Sequence, residues 1–322
     1  MLWQFRAHNL VDYVREHKEL YAEAKRTGDH AAVTAHFYDL MGGFIAYYYG
    51  PCFHFAPPDK LGQTRSEAIL SLHQRIARVL GLHAGSTVLD IGCGLGAMIH
   101  DISPFTGASM TGLAISTEEV KEGNDWLARD GLDYHCKIVQ GDAQAMPFAA
   151  NEFDAAYAVY SLKYFSKLDR VLGHVQRTLK PGGLFLVYCI IKTDSYDETN
   201  PVHRKVVGDF EYSCGMPSLH TRQAMIDAAD KAGLECVTKM DLSRDIPWYY
   251  EFDIPALHFC LTNPISLSAV NLLETLHLLP QGFRAWLDIF VTGNVMGIYR
   301  AGKMKILSGS DILVFRKPLQ KK

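Results

Sequence analysis

Paired cysteines are missing from this 322-residue chain: its seven cysteines (52, 93, 136, 189, 214, 236 and 260) form no Cys-x-x-Cys pair and follow no regular spacing. An odd, scattered set excludes a disulfide scaffold and predicts a reducing compartment with no zinc or other metal site. Charge of one sign is scarce too, with 32 Lys and Arg against 35 Asp and Glu, a net charge of -3. That balance leaves no basic footprint for nucleic acid. No uncharged apolar run is long enough to cross a bilayer, and charges and aromatics mix from Arg6 onward, unlike a signal peptide. Repeats and low-complexity segments are absent. The expectation is a cytoplasmic protein with no transmembrane segment and a full core, either one large domain or one domain with an elaborated lid.

What the chain does have is centred on Thr87-Val88-Leu89-Asp90-Ile91-Gly92-Cys93-Gly94-Leu95-Gly96. An apolar run suited to a buried parallel strand breaks into three alternate glycines and feeds an amphipathic segment. Such a turn lets a ligand lie against bare backbone near a helix N-terminus. Asp90 at the strand end repels a pyrophosphate but suits an ammonium or a sulfonium, and S-adenosylmethionine carries both. The spacing also differs from the Gly-x-Gly-x-x-Gly of dinucleotide binders. A glycine-rich turn without a ligand is the plainer alternative.

Around this stretch the pattern alternates. Strands read at 87–91, 109–115, 135–140, 153–160, 183–191, 234–240 and 311–315, with helices at about 96–103, 117–130, 168–179 and 221–232. This predicts an α/β fold, a doubly wound, mostly parallel seven-stranded sheet whose ligands bind at the C-terminal strand ends. Before it, residues 1 to about 40 read as helix interrupted at Gly28-Asp29, and Gln63 to Leu82 as another helix. Between them, Phe44 to Pro58 is dense in aromatics, and its Gly-Pro and Pro-Pro pairs argue against regular structure. It reads as a wall against a large apolar ligand, with a buried aromatic anchor as the alternative. The expected organisation is an N-terminal helical and aromatic lid (1–82), a cofactor-binding core (83–241), an insertion forming a substrate lid (242–306) and a last strand with tail (307–322).

The strand ends supply the candidate site. Leu113 lies near the end of strand two, and Glu119 one helical turn beyond it reaches toward a ribose; a solvent-facing carboxylate is the alternative. Asp142-Ala143 after strand three suits an adenine amino group, because a buried strand end gives an Asp little structural purpose. Together with Asp90, Gly92, Cys93, Gly94 and Gly96, these residues are the candidate cofactor contacts. Tyr160 and Lys163 follow strand four, on the side of a methyl acceptor.

The order Leu89-Asp90-x-Gly92-Cys93-Gly94-x-Gly96, Gly141-Asp142-Ala143, Phe153-Asp154 and Leu179-Lys180-Pro181-Gly182-Gly183 resembles the class I S-adenosylmethionine-dependent methyltransferases. The flanks resemble the sterol C-methyltransferases: Tyr47 to Phe55, Thr193-Asp194-x-Tyr196-Asp197-x-x-Asn200-Pro201-x-His203-Arg204-Lys205, Gly215-Met216-Pro217, Ile246-Pro247-Trp248-Tyr249-Tyr250 and Phe315-Arg316-Lys317-Pro318. The likeness runs from about residue 35 to the C-terminus. It implies a seven-stranded methyltransferase fold, S-adenosyl-L-methionine as cofactor and a sterol as substrate. Asp90, Gly92, Gly94 and Gly96 would hold the methionine half, and Asp142 and Ala143 the adenine. Glu119 stands where the family has a ribose-binding Gln.

The departures bear on chemistry. The carbon-24 methylases of the family carry acids where this chain has Ala46, Tyr160 and Cys214. Their reaction builds positive charge on a sterol side chain, which carboxylates and aromatic faces stabilise. Without those acids, the enolate of a 3-keto sterol methylated at carbon 4 becomes the favoured nucleophile, a reaction known within the family from nematodes. It needs a base and donors for the enolate oxygen, and Tyr47, His54, Tyr160 and His220 are the catalytic candidates. A structural role for either histidine is the alternative. Side-chain carbon-24 methylation, methylation of another small lipid or amine, and sterol binding without catalysis remain as further readings, and peripheral contact with the endoplasmic reticulum membrane is a route to the substrate.

Overall fold

The computed structural model describes residues 9–243 and 245–319. In chain order the elements are α1 (Leu10–Thr27), α2 (Ala31–Tyr49), α3 (Arg65–Val79), β1 (Thr87–Ile91), α4 (Ala97–Thr106), β2 (Ser109–Ala114), α5 (Thr117–Arg129), β3 (Cys136–Gln140), β4 (Phe153–Val159), α6 (Asp169–Thr178), β5 (Leu179–Lys192), α7 (Pro201–Ser213), α8 (Arg222–Lys231), β6 (Glu235–Asp241), α9 (Pro255–Thr262), α10 (Pro264–Thr275), α11 (Phe283–Trp286), α12 (Gly293–Lys303) and β7 (Leu307–Arg316). They form two compact units with interleaved segments. One comprises Pro51–Ile191, His220–Trp248 and the described part of the C-terminus from Gly309. The other comprises the described part of the chain up to Gly50, Lys192–Leu219 and Tyr249–Ser308.

The first unit is built on the sheet, ordered β3-β2-β1-β4-β5-β7-β6. β1 pairs in parallel with β2 and β4, β2 with β3, and β4 with β5, whereas β7 runs antiparallel to β6. This is the mostly parallel seven-stranded sheet that the alternating pattern predicts. The central strands are buried on both faces, which is why they read as continuous apolar runs rather than alternations. Strand order reverses between β1 and β4, and a crevice opens at such a switch point.

Several boundaries differ from the sequence reading; β7, for one, starts at Leu307 rather than 311. The helix α2 continues through the aromatic run as far as Tyr49, because the first residues able to break it are Gly50, at φ 66°, and Pro51. β5 begins at Leu179, ahead of the expected turn, since Leu179 pairs with Phe153 and a register shift absorbs Lys180 to Gly183. Gly183 is needed there: a Cβ would lie 2.8 Å from the Asp154 carbonyl oxygen.

The helices start where side chains cap them. Thr64 and Glu67 form a reciprocal capping box at α3, Ser116 caps α5, and Thr221 caps α8. In the second unit Asn9 caps α1, and Asn200 and Asn263 cap α7 and α10, each followed by proline in the first turn. A π-turn stretch, Leu287–Thr292, joins α11 to α12. The core of this unit includes His17, fully buried, whose Nε2 donates to the Tyr212 carbonyl at 2.8 Å beneath the Phe290 ring. Among the described residues no single helix is long and apolar enough to cross a membrane.

Candidate active site

The glycine turn leaves β1 at Ile91. Gly92, Gly94 and Gly96 all have positive φ (77°, 55° and 80°), a region costly for any side chain. The Leu113 carbonyl pins the start of the turn, accepting from the amides of Gly92 (2.8 Å) and Cys93 (3.1 Å). A Cβ on Gly92 would stand 2.5 Å from the Ser161 Cβ, whose hydroxyl donates to the Ile91 carbonyl at 2.6 Å. Gly94 is different, because a Cβ there would meet only the Glu119 Oε1, at 3.7 Å. One flank of the turn is thus packed by protein, and its middle offers bare backbone beside a carboxylate.

Asp90 is buried at the end of β1, beside Tyr157 in the register of β4. The Tyr157 hydroxyl donates to its Oδ2 at 2.8 Å. Burial pushes the carboxyl up from 3.8 to about 7, and the tyrosine hydrogen bond offsets only part of this. A desolvated carboxylate held by one neutral donor is completed by a cation, so the residues present fit the ammonium end of S-adenosylmethionine.

Glu119 lies in the first turn of α5, whose cap Ser116 accepts from its amide at 3.3 Å. Its carboxyl is raised by burial first and by Glu118 and Glu122 after that. It is half-buried against the open glycine, a position from which a carboxylate reaches vicinal hydroxyls. Asp142 is half-buried and its Oδ1 accepts from the Gln144 amide at 2.8 Å, so it has a local structural task that sequence reasoning missed. Ala143 beside it is buried. The Cys93 sulfur fills the space over Gly112, where a Cβ would be 2.5 Å away, and burial holds its thiol well above its usual range.

The four acceptor-side candidates have separate settings. Tyr160 ends β4 at φ 57°, a strained value for a tyrosine, and its buried hydroxyl donates to the Gly309 carbonyl at 2.5 Å. His54 is buried with its ring 6.1 Å from that of Tyr160 and 6.4 Å from that of Tyr188. Burial above all, with the neighbouring His73, Arg65 and Lys163 adding to it, keeps His54 well below the usual histidine range and therefore neutral. His220 donates from Nε2 to the Phe165 carbonyl at 2.8 Å, a bond that orders the approach to α8. Tyr47 belongs to the other unit, 75% exposed on the last turn of α2 against Tyr48. The structure thus brings Tyr160 and His54 together at the end of β4, through Ser161 next to the glycine turn.

Lys163 joins them. It is buried, with Nζ 4.9, 5.1 and 5.6 Å from the ring centroids of Tyr160, Tyr164 and Phe53. Three ring faces hold a cation out of water at modest cost. His73 and Asp101, absent from the sequence-derived candidates, lie directly behind His54. The one available signal was a histidine in the apolar stripe of α3, between Ile69, Leu72 and Ile76.

A family described as methyltransferase domain matches residues 89–187, the segment from the glycine turn to β5. Over 321 residues the chain is 43% identical to the Caenorhabditis elegans sterol 4-C-methyltransferase strm-1, covering 98% of this chain and 96% of that protein. It is 31% identical over 315 residues to the sterol 24-C-methyltransferase of Yarrowia lipolytica, covering 93% and 82%. Among solved structures, geranyl diphosphate C-methyltransferase from Streptomyces coelicolor A3(2) has a TM-score of 0.63 at 16% identity, over 86% of this chain and 98% of that one. The chain therefore belongs to the sterol C-methyltransferase family, S-adenosylmethionine-dependent enzymes.

Proposed function

We propose that the protein methylates carbon 4 of a 3-keto sterol through its enolate. The observation that carries this reading is the buried Lys163, ringed by aromatic faces beside His54 and Tyr160. A fixed positive charge at the acceptor side stabilises a developing oxyanion and opposes a developing carbocation, so it favours enolate chemistry over side-chain alkene methylation. The higher identity to the relative named for carbon 4 points the same way.

When bound, S-adenosylmethionine supplies a methyl group on a positively charged sulfur, open to attack by a carbon nucleophile. Asp90 would hold the ammonium of its methionine part, the Gly94 backbone would lie along it, and Glu119 would accept from the ribose hydroxyls. Asp142 and Ala143 would border the adenine. His54, kept neutral by burial, takes the proton from carbon 4, and Lys163 neutralises the charge that moves to the ketone oxygen. Tyr160 packs between these groups with its hydroxyl already committed to Gly309.

Peripheral membrane contact belongs to the same reading. α10 buries none of its residues, and with its neighbours it exposes Phe259, Ile265, Leu272, Leu276 and Leu278. An apolar face of this kind suits the boundary between headgroups and acyl chains, where sterols dissolve.

The test is mass spectrometry of products after incubation with methyl-labelled cofactor and matched 3-keto and 3-hydroxy sterols. Label on ring A of the ketone, with the 3-hydroxy sterol unchanged, is the expected result. Label in the side chain of either sterol refutes the assignment.

A further inference from the structure

Three titratable residues from three elements meet behind the site. Asp101 on α4 has its Oδ2 2.6 Å from Nδ1 of His73 on α3, and Nε2 of His73 is 2.9 Å from Nε2 of His54 in the loop after α2. His73 is wholly buried, while the Asp101 side chain is 34% exposed. Arg65 fixes the loop by donating to the carbonyls of Cys52 (2.9 Å) and His54 (3.2 Å). Each contact along this chain needs a donor on one side and an acceptor on the other.

A carboxylate only accepts, which places a hydrogen on Nδ1 of His73. With one hydrogen on His73, its Nε2 holds a lone pair and receives the Nε2 hydrogen of His54. Nδ1 of His54 is then the lone-pair nitrogen. We infer that Asp101 and His73 are positioning residues that fix the tautomer of His54, making Nδ1 the atom that removes the substrate proton. This deepens the reading above and rests on His54 being its base.

In the step itself, the C–H bond at carbon 4 breaks, its proton bonds to Nδ1 of His54, and the electron pair spreads onto the ketone oxygen beside Lys163. The imidazolium formed donates from Nε2 to His73, whose own hydrogen points at the Asp101 carboxylate, so the new charge is stabilised through two hydrogen bonds without a carboxylate in the substrate space. Once the methyl group has joined the carbon, His54 returns its proton to water. The arrangement also links base and cofactor, because α4, which carries Asp101, begins at the glycine turn.

Nitrogen-15 NMR of histidine-labelled protein, with His54 assigned by comparison with His54→Gln, reads the tautomer without substrate. An Nε2–H resonance and an unprotonated Nδ1 at His54 are expected; a hydrogen on Nδ1 at neutral pH overturns the inference. Kinetics supply the second readout. Gln presents an acceptor in place of Nε2 and Leu does not, so His73→Gln should stay within about tenfold of wild-type kcat. His73→Leu should lose on the order of 10²-fold in kcat with little change in KM. A His73→Leu enzyme at wild-type kcat, or a Gln variant as slow as the Leu variant, overturns the positioning role. A wild-type product methylated in the side chain would refute the carbon-4 assignment alone, since the tautomer measurement does not depend on it.

Discussion

Cofactor affinity should change with pH through Asp90, in a direction set by its burial. The carboxyl is raised to about 7 when no cation faces it. A ligand bearing an ammonium binds the ionised form, so the fraction of protein able to bind grows as pH rises toward and past 7. With a single controlling group, the apparent dissociation constant scales as one plus the ratio of protonated to ionised Asp90. Between pH 6 and 7.5 this gives roughly an eightfold gain in affinity, about 1.2 kcal/mol. Isothermal titration of S-adenosylhomocysteine, which keeps the ammonium and lacks the sulfonium, isolates this contact. Asp90→Asn should bind weakly and lose the slope. Tyr157→Phe, which removes the hydrogen bond favouring the ionised form, should move the midpoint upward. A flat affinity from pH 6 to 7.5 in the wild type, or the same slope in Asp90→Asn, refutes the assignment.

The same shift governs stability in the absence of ligand. Folded Asp90 keeps its proton until about pH 7, whereas the unfolded chain releases it near 3.8. Across that window the folded state binds more protons, so this group's contribution to stability falls as pH rises. The full span amounts to about 4 kcal/mol at 1.36 kcal/mol per pKa unit. Thermal unfolding of ligand-free Asp90→Asn at pH 7.5 should therefore lie above wild type, with the difference closing toward pH 5.

Three other predictions concern separate parts of the molecule. Lys163→Met should lower kcat on a 3-keto sterol by about 10²-fold or more, with S-adenosylhomocysteine affinity unchanged by calorimetry, because it removes charge stabilisation from the acceptor side only. Gly92→Ala forces a Cβ to within 2.5 Å of Ser161 at φ 77°, so the turn must move; cofactor affinity should drop at least tenfold and stability by about 1–3 kcal/mol in denaturant titrations. Asp311→Ala removes the buried carboxylate whose two oxygens accept from the guanidinium of Arg222 at 3.0 and 3.1 Å. It should cost about 3 kcal/mol of stability and leave the cofactor dissociation constant of the folded protein within twofold.

How much of this was legible beforehand depends on whether the signal was local. The glycine turn and the buried strands act over a few positions, and so their places agree with the sequence reading to within a few residues. α2 overran its expected end because aromatic density does not break a helix; Gly50 and Pro51 do. Asp142 read as purely functional because an Asx cap looks the same in sequence as a ligand contact. The partners of Asp90 and His54 were out of reach for another reason. Tyr157 meets Asp90 through β1–β4 pairing, 67 positions away, and Asp101 meets His73 only because α3 and α4 pack together.

That difference also decides how the acceptor chemistry should be read. An acid missing from a motif is visible in sequence, but a missing acid does not say what charge replaces it. The three positions without acids argued only against a stabilised carbocation. Folding adds the positive half of the argument, by burying Lys163 among three rings and by setting a neutral histidine beside it. A neutral base next to a fixed cation is the pairing that proton removal from a ketone requires, since the base must accept a proton while the cation receives the negative charge left behind. Exchanging the sign of that fixed charge should therefore exchange the reaction. Lys163→Glu combined with Tyr160→Glu is expected to abolish ketone methylation while leaving cofactor binding in place, and retained ketone turnover in that double variant would show that the charge at the end of β4 does not select the nucleophile.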